Sequence, residues 1–388
     1  MKRIAVFTGT RAEYGLLYWI IKRIHESDTS ELQLLVGGMH LSPEFGMTVN
    51  QIENDGFPIT DRLEFLLSSD SAVGIAKSMG LALIAAAESF SRNKPDLVVL
   101  LGDRFESMAV AQAAMVARIP IAHIHGGEAT EGLIDEAVRH SITKMAHLHF
   151  TATETYRDRV IQLGERPEHV FNFGAPGIDS ITRLNLLPRT ALSEAVDFNI
   201  NGNYFLVTYH PVTLEPDGAV NSLKSLLQAL DKFPKHQIII TYPNADTHGR
   251  RLLEVLDDYQ VKNLSRVKLV SSLGQLRYLS LMKYCDAVIG NSSSGLIEAP
   301  SFNVPTVNIG NRQQGRVFGD TVINADDGYE SIYSAISRAL TPDFRDKCAG
   351  SINPYGLGKA SDRIVDVIER TELNNLIFKP FHDLKVSQ

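Results

Sequence analysis

The chain has little cysteine: Cys285 and Cys348 are the only two in 388 residues, and no CxxC spacing occurs. That excludes a disulfide framework or a cysteine-based zinc module, and it fits a reduced compartment. Positive charge is also not in excess. The formal net charge is −7, which argues against a broad footprint for nucleic acid. A local basic pocket for a small anion is still allowed. No apolar run reaches the ~18 residues that a membrane span needs, and the longest candidate, MGLALIAAAESF, reads as a buried helix. The first apolar stretch ends in a Gly-Thr-Arg turn, too early for a signal peptide. A cytoplasmic location is therefore expected, with no membrane partner. There is no GxGxxG, so a nicotinamide dinucleotide site has no support. No repeat or low-complexity segment appears.

What the sequence does have is alternation. RIAVFT, DLVVLLG, IPIAHI, HLHFTAT and VFNFG read as strands with helical stretches between them. After a Pro-, Gly- and Asn-rich stretch near 174–198, read as a linker, the pattern restarts with YFLVTYH, QIIITYP, VKLVS, DAVIGNS and VPTVNIG. Such βαβ units predict an α/β fold of two Rossmann-like domains, each with a covered parallel sheet, facing a cleft. The expected division is 1–178 for the first domain and 179–357 for the second. A C-terminal helix at about 358–378 is expected to cross back onto the first.

Ligands of such sheets sit at the carboxyl ends of strands, and the loops there are polar. GTRAEYG opens a helix, where Arg11 could pair with phosphate; an ordinary glycine turn is the alternative. GNSSSGLIEAP offers Ser292 and Ser293 for a diphosphate and Glu298 for a ribose diol, or only a capped helix start. GDRFES places Asp103 beside Arg104, which could be a salt-bridged turn. TYHPVT puts His210 at a strand end. Asn244, Arg312 and Arg316 extend the same rim.

The densest stretch is HIHGGEATEGLIDEAVRH, His123 to His140. His123, His125 and Glu128 could be zinc ligands. The other reading gathers Asp103, Glu128 and Asp135 as carboxylates whose crowding separates their pKa values for acid–base work. Asp135 and Arg139, four apart on a predicted helix, could instead simply pair on its surface.

GTRAEYG, GMHLSPEFG, LGDRFES, HIHGGE, IDEAVRHSITKMAHLH, VIQLGE, TYHPVT, NADTH, GNSSSGLIEAPS and NIGNRQQGR occur in that order. With them the chain resembles the hydrolysing UDP-N-acetylglucosamine 2-epimerases of bacterial sialic acid synthesis over almost its full length. The resemblance implies a GT-B-like fold. It implies conversion of UDP-GlcNAc and water to N-acetylmannosamine and UDP through a 2-acetamidoglucal, with no metal or other cofactor. It also implies a homodimer or homotetramer. Asp103 and Asp135 match catalytic carboxylates of the family, and His210 matches a histidine that assists the departing diphosphate. Ser292, Ser293 and Glu298 match UDP-binding positions. Arg11, Arg104, Asn244 and Arg312 match the substrate cleft, and Asp179 matches an aspartate near the sugar. Many relatives carry a catalytic glutamate where this chain has His125. Either His125 takes that role or Glu128 reaches it from the turn, and the sequence favours Glu128 for the proton. Two readings of the same chemistry compete: UDP-2,4-diacetamido-2,4,6-trideoxyglucose as substrate, or a non-hydrolysing epimerase.

Overall fold

A computed structural model describes residues 1–69, 71–129, 134–200, 202–210, 216–242, 249–270 and 273–384. The chain divides into two compact units. One is Met1–Ser180 with Tyr355–Gln388, and the other is Ile181–Pro354.

The first unit holds seven strands: β1 (Lys2–Thr8), β2 (Ser30–Gly37), β3 (Ile59–Leu63), β4 (Leu97–Leu101), β5 (Ile121–Ile124), β6 (Leu148–Thr151) and β7 (Val170–Asn172). Their order in the sheet is β3-β2-β1-β4-β5-β6-β7, and every pairing is parallel. β1 shows why both faces must be covered. Ile4 and Val6 point into one core with Leu17 and Ile20 of the helix Arg11–His25 and Ile364 of the helix Ala360–Arg370. Ala5 and Phe7 point into another with Ala82 and Ala86 of the helix Ala72–Asn93 and Val110 of the helix Phe105–Val116. Alternation along the strand sends successive side chains to opposite faces, and each large apolar side chain so buried is worth roughly 1.5–3 kcal/mol.

The second unit repeats the plan with β8 (Tyr204–Thr208), β9 (Gln237–Thr241), β10 (Val267–Val270), β11 (Ala287–Gly290), β12 (Thr306–Ile309) and β13 (Val322–Ala325), in the order β10-β9-β8-β11-β12-β13. In each sheet the strand order reverses once, between β1 and β4 and between β8 and β11. A crevice forms at such a reversal, outside the carboxyl ends of the strands.

Three sequence expectations need correction. The stretch read as a linker contains two short helices, Gly177–Arg183 and Arg189–Ala195. Helix-forming runs (SITR, ALSEA) lie between its proline and asparagine breaks. Strands β2, β3 and β13 were not expected. β3 alternates half-buried and exposed residues at the sheet edge, so its apolar signal is weak. Finally, the apolar run extends further than it reads. The helix Ala72–Asn93 is 22 residues long and, by length and composition, apolar enough to cross a membrane, with 33% of its most apolar window buried. Lys77 interrupts the run in the sequence but not the helix.

Candidate active site

Three segments at the carboxyl edge of the first sheet supply one cluster, and Arg139 is its hub. The helix Ile134–Met145 turns Arg139 inward beside Val138 and Ile142, leaving it only 1% exposed. Its guanidinium donates to the Asp103 carboxylate just after β4, to Glu136 Oε2 at 3.0 Å and to the Glu128 carbonyl at 2.9 Å. Arg139 is thus a buried cation shared among acceptors rather than a surface residue. Arg is suited to this because its planar fork donates in several directions, and a buried charge is tolerable only when paired and hydrogen-bonded.

His125 lies against this cluster with φ +65°, in the left-handed region. That conformation costs a non-glycine residue free energy and persists only where surroundings fix it. Here the His125 backbone N–H donates to the Phe150 carbonyl at 2.9 Å. The ring Nδ1 bonds the Glu128 carboxylate. Nε2 is buried and has no hydrogen-bond partner among the described residues. With Glu128 ionised, Nδ1 must be the donor, and in the neutral ring Nε2 keeps its lone pair. His123 does not join them. It is fully buried, and burial lowers its pKa to about 3. Its Nε2–H donates to the Gly102 carbonyl at 2.7 Å, and Nδ1 faces the Thr143 hydroxyl at 3.2 Å. Among the described residues no three His, Cys, Asp or Glu side chains are grouped to hold a metal.

A second set lies where β1 and β4 meet at the strand reversal. Arg11 is exposed at the first turn of its helix. Arg104 pairs with both oxygens of buried Glu106, at 3.1 and 2.9 Å. Burial alone would lower its pKa, but Glu106, Glu13 and Asp135 together hold it above the usual value. Half-buried Asp135 is thereby electrostatically coupled to Arg104. Glu13 went unnoticed in the sequence. It accepts from the Gly9 N–H at 2.9 Å and the Ser107 hydroxyl at 3.3 Å, and burial, partly offset by Arg104, pushes it up to about 7. Asp179 belongs to neither set. It is fully buried, and its two oxygens accept from the Ala360 and Ser361 N–H groups at 2.9 and 2.7 Å. In this way it caps the helix Ala360–Arg370.

In the second unit the loops after β8 and β11 meet at Asn291. Gly290 ends β11 at φ +135°, and a Cβ there would strike the Thr208 carbonyl, so no other residue fits. The Asn291 carboxamide accepts from the His210 N–H at 2.7 Å and donates to the His210 carbonyl at 2.9 Å. Its own carbonyl accepts from Arg312 at 3.0 Å and Gln313 at 2.8 Å. Burial, with Arg312 nearby, lowers His210 to about 3. Ser293 occupies the N-cap of the four-residue helix Ser294–Ile297 but makes no capping bond with its side chain. The Ser292 hydroxyl accepts from the Ser294 N–H at 3.4 Å, and the Ser294 hydroxyl donates to Glu298, whose carboxyl burial holds above its ordinary range. Asn244 lies outside the described residues.

Two doubly wound sheets with polar loops at their strand reversals define an α/β protein of the GT-B-like class. The chain belongs to the UDP-N-acetylglucosamine 2-epimerase family, whose profile matches residues 22–369. It is 38% identical to the "GDP/UDP-N,N'-diacetylbacillosamine 2-epimerase (hydrolyzing)" of Campylobacter jejuni, covering 99% of both chains. It is also 38% identical to "Polysialic acid biosynthesis protein P7" of Escherichia coli, covering 99% of this chain and 98% of that one. In fold it is similar to the UDP-GlcNAc 2-epimerase from Neisseria meningitidis bound to UDP-GlcNAc, with TM-score 0.82, 21% identity, and coverage of 96% of this chain and 100% of that one.

Proposed function

We propose that the chain is a hydrolysing 2-epimerase of a UDP-linked 2-acetamido sugar. The C2 proton is removed as the C1–O bond to UDP breaks, leaving a 2-acetamidoglucal. Water then adds across the double bond with opposite configuration at C2, giving the free 2-epimer and UDP. The observation that carries this reading is the cluster around Arg139, which holds Asp103, Glu136 and the His125–Glu128 pair at one sheet edge. A weakly acidic C2–H needs a positioned base, and the departing diphosphate needs stabilised charge.

His125 Nε2 transfers a proton, with Glu128 fixing its tautomer in the manner of a carboxylate–imidazole pair. This reverses the sequence-based preference for Glu128, whose carboxylate is engaged by the ring. Asp103 and Asp135 are the carboxylates of the reaction. Arg11 and Arg104 hold the substrate. Ser292 and Ser293 take the diphosphate and Glu298 the ribose, with Arg312 and Asn244 completing the set. His210, neutral at pH 7 before substrate arrives, donates a hydrogen bond to the leaving oxygen. A cytoplasmic location and a homodimer or homotetramer belong to the same proposal. The location is in keeping with two buried free cysteines.

UDP-GlcNAc is the first substrate reading, and the name of the Escherichia coli relative is in keeping with it. The name of the Campylobacter relative favours the second, the diacetamido-trideoxy sugar. Incubation with each nucleotide sugar, following UDP release, decides. Release from one or both is expected, and release from neither would sink the proposal.

A further inference from the structure

A buried ion cluster lies on the first unit, apart from the residues assigned above. Glu165, 2% exposed, accepts from His149 Nε2 at 2.9 Å, Lys144 Nζ at 2.6 Å and Lys379 Nζ at 2.7 Å. Lys379 comes from the segment after the last helix. Its ammonium also donates to the Ala146 carbonyl at 2.6 Å and the Lys144 carbonyl at 2.8 Å. Those carbonyls are the open C-terminal end of the helix Ile134–Met145, whose last C=O groups lack intrahelical donors. An ammonium has three N–H donors, and Glu165, these two carbonyls and the Thr143 carbonyl at 3.5 Å share them.

The same segment is anchored beyond Lys379. The His382 N–H donates to the Gly164 carbonyl at 2.9 Å. The Phe381 ring lies against Gly164, where φ is +89° and a Cβ would strike the ring. Lys144 sits 5.0 Å from the centre of that ring. From the helix so held, two connections run to the loop after β4. Arg139 reaches the Asp103 carboxylate directly. The Thr143 hydroxyl meets His123 Nδ1, and His123 Nε2 holds the carbonyl of Gly102, the residue before Asp103.

We propose that Lys379 is a positioning residue for the Asp103 carboxylate, acting from the C-terminal segment through the helix Ile134–Met145. This rests on the reading of Asp103 as a carboxylate of the reaction. The side chain touches no reacting atom. It fixes the axial position of the helix that carries Arg139, and small displacements of a catalytic group are costly to rate.

The test uses the full chain and whichever of the two UDP-sugars it turns over, at a temperature where circular dichroism shows every variant folded. Lys379→Met is expected to lower kcat about tenfold with KM within about twofold. Lys379→Arg, which keeps a cation at the helix end, is expected to recover kcat to within about threefold. In an Asp103→Asn background, Lys379→Met should cost nothing further, because the two act on one path. A folded Lys379→Met with kcat within about twofold of wild type overturns the proposal, as does an equal tenfold loss on top of Asp103→Asn. Should Lys379→Met not fold, Phe381→Ala loosens the same segment and carries the same pair of expectations. Wild-type turnover by Asp103→Asn alone overturns the catalytic reading beneath, a result distinct from the others.

Discussion

Arg139 decides what the residues around it can do. The sequence shows it only as the partner of Asp135 four positions earlier. The signal that could have placed it inside is its position between Val138 and Ile142 on the apolar face of the same helix. A cation on a buried stripe has to find acceptors, and this one finds Asp103 and Glu136. Asp103→Asn and Asp135→Asn are each expected to lower kcat by about two to four decades while the fold survives, because removing one acid–base group typically costs that much. A steady-state UDP-release assay with near-normal rates would contradict either assignment. The buried histidines make a separate prediction. Burial lowers His40 and His147 to about 4, and His123 and His210 to about 3. An unfolded histidine titrates near 6.5, so between pH 6.5 and 4 the unfolded chain binds more protons and the fold loses stability as pH falls. Glu13, raised to about 7, opposes this, since its contribution to stability falls as pH rises from 4.5 to 7. Glu298, also raised by burial, opposes in the same sense, but His149, His169 and His236 are lowered as well, and seven histidines outweigh two carboxyls. The urea midpoint is expected to be lower at pH 5 than at pH 7, and an equal or higher midpoint at pH 5 would refute the balance.

At the scale of elements, the long buried strands were legible because apolar runs such as RIAVFT and DLVVLLG admit no other packing in an α/β chain. The loops that follow them were legible too, since polar residues after a strand have a restricted set of uses. The asparagine hub was not. Asn291 acts through its main chain and carboxamide on His210, Arg312 and Gln313, and no spacing rule announces such a bond. The bonds that hold Asp179 were hidden for a similar reason. A carboxylate in a Gly-Pro-rich loop looks available, yet its partners are amides 181 and 182 residues further on. Asp179→Ala should uncap the helix Ala360–Arg370 and leave two buried N–H groups unpaired, a cost of about 2–4 kcal/mol. Urea unfolding followed by circular dichroism measures it. A loss below about 0.5 kcal/mol, the low end for any cap, would show that the carboxylate is not the cap.

For the whole molecule, the two-unit α/β plan followed from the alternation of strands and helices, and the family followed from ten motifs in order. What neither gave was the choice of His125 as the proposed proton carrier. That proposal depends on His125 holding a left-handed backbone, on its Nδ1 meeting Glu128 and on its Nε2 having no partner among the described residues, which are properties of folded geometry. In the proposed reaction C2 is deprotonated as UDP leaves and is reprotonated on the other face. Proton NMR of the products formed in deuterated water, from UDP-GlcNAc and from UDP-2,4-diacetamido-2,4,6-trideoxyglucose, tests it most directly. Free UDP and a free 2-epimer carrying deuterium at C2 are expected. A product that keeps its UDP, or a free sugar that keeps its C2 proton, would contradict it.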